Sequence, residues 1–151
     1  MNAAADKTKS GFSAEERDAM KSRAAELRAE AKAGKGAKKA AADEAAVLET
    51  IAKMASPDRE IAARIHELVT STAPELAPKL WYSQPAWARD GKVVCFFRSG
   101  QGDKERYSTF GFSTEAALDS KDGLWANAFA VTELTKAGEK TITDLVKKAM
   151  G

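Results

Sequence analysis

The sequence predicts an α+β fold, a two-layer sandwich of helices on an antiparallel sheet with an extra N-terminal helix. Three observations predict it. Apolar residues recur at helical spacing before residue 74 and again after residue 135. Eight of the eleven aromatic residues fall within positions 81–112, a composition that suits strands. The strand-like runs follow one another through short connections, as hairpin-linked antiparallel strands do.

Each element has its own local reason. Residues 13–33 predict a helix, because Ser13 is a good N-cap and Glu16 completes a capping box. Glu15 and Glu16 suit the positive end of its dipole. Its apolar stripe of Met20, Ala24, Leu27 and Ala31 is thin, so a peripheral extension is expected, docking through Phe12, Met20 and Leu27. Gly34 and Gly36 then read as the break into a solvated linker. A second helix is expected over 43–55, with Val47, Leu48, Ile51 and Met54 inward. Ser56 reads as the cap of a third, with Pro57 at its first position and Ile61, Ile65, Leu68 and Val69 as its stripe. Pro74 and Pro78 end it.

Strands are expected at 80–83 and 86–89, with Asp90–Gly91 as a hairpin turn. The runs KVVCFFR at 92–98, RYSTFGF at 106–112 and NAFAVTE at 127–133 complete the sheet. Alternation puts Val93, Cys95 and Phe97 on one face of 92–98 and Val94 and Phe96 on the other. A short helix is expected near 114–119. The last helix starts at Thr135, carries Ile142, Leu145, Val146 and Ala149 inward, and ends on Lys147 and Lys148.

Charge divides the chain. Residues 1–41 hold ten basic and six acidic residues, while residues 42–151 hold fourteen and sixteen. The first segment therefore reads as a basic, Ala/Lys-rich helical extension and linker, and the second as the folded domain. The Lys32, Lys35, Lys38 and Lys39 run could attract nucleic acid, but no aromatic is interleaved for base stacking, and a solvated linker is the simpler reading. No apolar run reaches the roughly 20 residues of a membrane span. The segment MNAAADKTKS lacks the apolar stretch of a secretory signal, so a cytoplasmic protein with no membrane role is expected.

Few residues suit catalysis. One histidine and one cysteine exclude a His/Cys zinc cluster or a Cys₄ iron–sulfur site within one chain. No nucleophile elbow, phosphate-binding glycine loop or metalloprotease motif occurs, and a non-enzymatic protein is expected. His66 reads as a rim histidine at the edge of its helix, and Cys95 as inert core. Two other groups could bind something. Both faces of the central strands are apolar, and Trp81, Tyr82, Gln84, Trp87, Phe96, Tyr107, Phe110 and Trp125 could form a ligand or partner face. The carboxylates Asp43, Glu44, Glu49, Asp58, Glu60 and Glu67 decorate the two central helices and are of the type that hard cations and iron accept. Glu49–Lys53 and Glu60–Arg64 also read as ordinary i,i+4 ion pairs.

From about Asp43 to Met150 the chain resembles the YdhG-like family of small bacterial proteins, relatives of the frataxin-type iron chaperones. The resemblance is carried by PDRE with the stripe Ile61, Ile65 and Leu68, by WYSQPAW, GKVVCFF, RYSTFGF and GLW, and by AFAVTELT entering the last helix. Ala126 stands where the family commonly has a proline after the tryptophan. The resemblance implies a frataxin-like sandwich and weakly bound iron, with Asp43, Glu44, Glu49, Asp58, Glu60 and Glu67 as its candidate ligands. It also implies iron–sulfur or haem assembly proteins as partners. Three functions follow as expectations. The first is an iron-chaperone-like protein. The second is a small-ligand or protein-partner binding module using the aromatic sheet face. The third is a weak association with nucleic acid through the lysine run.

Overall fold

The computed structural model describes residues 13–151, apart from the side chains at 29, 30, 32 and 33. Phe12 and the side chain of Lys32 therefore lie outside the described residues. The chain divides into two compact units, Met1–Lys39 and Ala40–Gly151.

Helix α1 spans Ala14–Ala52. Its start is the expected capping box. The Ser13 amide donates to Glu16 Oε1 at 3.2 Å, and the Glu16 amide donates to Ser13 Oγ at 3.1 Å. The expected break at Gly34 and Gly36 does not occur, and one helix replaces the two that the glycines separate on paper. Two glycines cost about 2 kcal/mol in a helix interior, but Ala and Lys on both sides are strong helix formers and propagation is cooperative. Met20 and Leu27 are half exposed.

In the second unit, α2 (Asp58–Thr72) starts one residue later than expected. Pro57 is its N-cap, without a side-chain cap bond, and Ser56 Oγ instead donates to the Glu60 carboxylate. Five strands follow: β1 (Ala77–Trp81), β2 (Gln84–Arg89), β3 (Lys92–Arg98), β4 (Ser108–Phe112) and β5 (Ala128–Val131). They form one antiparallel sheet in the order β1-β2-β3-β4-β5. Pro78 lies within β1 rather than at a helix end. An edge strand tolerates its missing donor. Helix α3 (Lys136–Ala149) opens on Thr135, whose Oγ1 accepts the Gly138 amide at 3.1 Å.

The segment 114–119 is not helical. The Ala117 amide donates to Ala149 O at 2.9 Å instead of to a carbonyl one turn back. The segment thus joins the end of α3.

One core unites three helices with one sheet face. Val47 and Ile51 come from α1, Ile61, Ile65 and Val69 from α2, and Ile142 and Val146 from α3. They meet Trp87, Cys95, Phe97, Phe110 and Phe112. The architecture is therefore α+β, with helices and an open five-stranded antiparallel sheet sharing a core. The alternation in β3 needs one correction. Trp87 pairs with Cys95 and Ala88 with Val93, so Val94 is the extra residue of a β-bulge. The bulge carries Val94 into the core beside Cys95, and both are buried.

Candidate functional site

The β1–β2 connection is a two-residue turn, since Trp81 pairs with Gln84 across Tyr82 and Ser83. Both turn residues are left-handed, with φ of 51° and 64°. The other such turn, Asp90–Gly91, has the expected residues at φ of 52° and 82°. Tyrosine and serine carry a Cβ into a region that costs an L-residue roughly 1–2 kcal/mol. Such strain is found where the surrounding structure or a function demands it. The turn aims Tyr82 outward, and the residue is 83% exposed. The Tyr82 ring meets Trp81 at 5.0 Å, and Trp81 meets Phe96 at 5.2 Å.

This turn borders a cavity of about 460 Å³. The end of α1 contributes Thr50, Lys53 and Met54, the turn and β2 contribute Tyr82, Ser83, Gln84 and Pro85, and the loop after β3 contributes Ser99, Gln101 and Asp103. The volume lies within the roughly 300–1,000 Å³ of small-molecule sites. The loop wall is held from below. Asp58, buried at the start of α2, accepts Ser99 Oγ at 2.6 Å and the Gln101 amide at 3.2 Å. Arg98 Nη2 sits 2.7 Å from Asp103 Oδ2, and its two Nη groups donate to the Glu105 carboxylate. Those carboxylates keep the Arg98 guanidinium charged, chiefly through the Glu105 bonds, and Arg98 in turn holds the Glu105 carboxyl below its ordinary range. Lys53 is likewise engaged, by Glu49 at 2.8 Å.

The eight residues expected on one ligand face are split between several places. Trp81 and Phe96 lie on the sheet face opposite the core, and the Phe96 ring crosses Gly111. Tyr82 and Gln84 line the cavity. Trp87 and Phe110 are fully buried in the core and offer no surface. Tyr107 is part-exposed under the Arg106 guanidinium, which is 5.1 Å from its ring centre. Trp125 borders a separate cleft with Ser113, Leu118 and Asp119. Alternation along a strand sends neighbours to opposite faces, so an aromatic-rich string cannot form one surface.

The six carboxylates do not converge either. Glu49 is paired with Lys53, and its carboxyl is held below the ordinary range by the Lys53 hydrogen bond. Glu60 accepts from Ser56 and from Arg59 at 2.8 Å, not from Arg64 as expected. Arg64 instead spans to Glu139 on α3 through two bonds of 2.9 and 2.8 Å and lies 3.7 Å from Glu67. Asp58 is spent on the loop. Glu44 Oε2 lies 3.6 Å from His66 Nε2, and Asp43 occupies the adjacent position on α1. Among the described residues, no three His, Cys, Asp or Glu side chains group to hold a metal ion. Glu49, Asp58, Glu60 and Glu67 each face a neighbouring donor instead.

His66 departs from the rim position that its place on the helix predicts. It is buried, not on a rim, and its Nδ1 accepts Trp87 Nε1–H at 3.2 Å. Burial pushes its pKa down, with Glu44 opposing. Only its place one step off the apolar stripe hinted at this. Cys95 is buried as expected, and burial pushes its thiol pKa up, which keeps it protonated.

No helix among the described residues is long and apolar enough to cross a membrane. Comparison with protein-family models, with curated proteins and with solved structures gives no match.

Proposed function

We propose that this chain is a non-enzymatic binding module for a small, uncharged molecule with a planar face and hydrogen-bonding groups. One observation carries the reading. A strained two-residue turn presents an exposed tyrosine at the mouth of a cavity of about 460 Å³ whose loop wall is already fixed. The two charged side chains of its lining, Lys53 and Asp103, face their own counter-charges, Glu49 and Arg98. What remains for a ligand is neutral: the hydroxyls of Thr50 and Ser83, the side-chain amides of Gln84 and Gln101, and the apolar surfaces of Tyr82, Pro85 and Met54. The lone histidine and cysteine lie outside this lining, in keeping with binding rather than catalysis. A frataxin-like arrangement and kinship to YdhG-like proteins belong to the same proposal. A five-stranded meander with helices before and after it supports them.

A fragment screen by ¹H–¹⁵N NMR tests the reading. Neutral heteroaromatic amides should shift Thr50, Ser83 and Gln101 together, and Tyr82→Ala should abolish the shifts. Hits scattered over the surface, or none tighter than millimolar, would remove it.

A further inference from the structure

Because α1 is unbroken through Gly34 and Gly36, its charges acquire a geometry that the sequence string hides. At 100° per residue, Arg17, Lys21, Arg28, Lys35 and Lys39 fall within an arc of about 40°. All five are exposed. At 1.5 Å per residue, the stripe is about 33 Å long, with neighbouring cations about 6 or 10 Å apart along the axis. No acidic residue of α1 falls within that arc, and Asp43 stands four residues beyond Lys39, about 40° outside its edge. Glu15 and Glu26 lie toward the other side, where Arg23 pairs with Glu26 at 3.1 Å, and Asp18 stands about 60° beyond the edge of the arc.

We infer that this face of α1 is a docking surface for the phosphate backbone of duplex DNA. Charge complementarity and shape both favour that partner. A straight helix fits the roughly 12 Å width of the major groove of B-form DNA, whereas the major groove of A-form RNA is too narrow. Ala24 and Ala31 flank the stripe and let the helix approach closely. No aromatic lies on α1, so stacking on unpaired bases contributes nothing. Its large apolar residues beside the stripe are only Met20 and Leu27, too few to seat the helix in a bilayer interface. Contacts to phosphate carry no sequence information, so binding through this stripe is sequence-independent and driven by counterion release.

The test uses the full chain and a labelled 20-base-pair duplex of mixed sequence, followed by fluorescence anisotropy across a range of KCl concentrations. The logarithm of affinity should fall against the logarithm of salt with a slope of about −3 to −5, near −0.9 per phosphate contact. Lys21→Gln with Arg28→Gln and Lys35→Gln should flatten that slope by about 3 units, since each removes one contact. Lys21→Arg with Lys35→Arg should keep it, as should Arg23→Gln on the other side. Circular dichroism checks that helix content is unchanged. A slope unaltered in the triple variant, or no salt dependence in the wild type, overturns the inference. Tighter binding to single strands, or to phosphatidylserine vesicles, also overturns it. Loss of binding in the double arginine variant would do the same.

Discussion

Trp87 Nε1 donates a hydrogen bond of 3.2 Å to Nδ1 of His66, joining β2 to α2 inside the core. The bond selects the neutral histidine with Nδ1 unprotonated, and the other ring nitrogen faces Glu44 at 3.6 Å. One interaction thus fixes a strand, a helix and a tautomer together.

That bond predicts a pH dependence. Burial lowers the folded-state pKa of His66 below its ordinary value of 6.5. The unfolded chain therefore takes up a proton first as pH falls. The stability contributed by neutral His66 is present above about pH 6.5 and declines as pH drops below it toward the lower folded value. Urea unfolding between pH 7.5 and 5 should show the decline, and His66→Gln should flatten it. Trp87→Phe should cost about 2–4 kcal/mol, from an unsatisfied Nδ1 and a smaller ring.

Tyr82 and Ser83 predict a trade between stability and binding. Replacing Tyr82→Asn with Ser83→Gly installs the pair that such a turn prefers, and should raise stability by about 1–2 kcal/mol. The same change removes the ring at the cavity mouth, so ligands found by the screen should be lost. A double variant that is less stable than wild type in urea would refute the strain argument.

Asp58 anchors the wall of the cavity. Asp58→Ala should cost about 1.5–3 kcal/mol, because hydrogen bonds to a charged group are lost from a buried position. Amide exchange at Gln101 should speed up more than at the Ile61 amide, which donates to Pro57 O at 3.0 Å inside the helix. Uniform acceleration at both would show that the aspartate supports the whole fold and not the loop.

The scattered carboxylates predict silence toward iron. Anaerobic Fe²⁺ should produce no broadening centred on Glu49, Glu60 and Glu67, because their oxygens already serve Lys53, Arg59 and Arg64. Saturable broadening there below millimolar metal would restore the iron reading.

The sequence by itself determined what short-range chemistry decides. Ser13 and Glu16 cap each other three residues apart, Thr135 caps the last helix, Asp90–Gly91 turns the second hairpin, and β3 has the expected bounds. The same local reasoning fails at Gly34 and Gly36, where the surrounding alanines and lysines carry α1 through. Tertiary structure alone decided the rest. Glu139 claims Arg64 from 75 residues away, and Trp87 claims His66 across 21. The Val94 bulge moves a side chain from one face to the other by mispairing against a neighbouring strand. The cavity joins residues from Thr50 to Asp103 that share no local pattern. Caps and turns are settled by groups a few bonds apart. Which donor meets which carboxylate, and which face an aromatic takes, depends on strand register and on helices that meet only after the chain has folded.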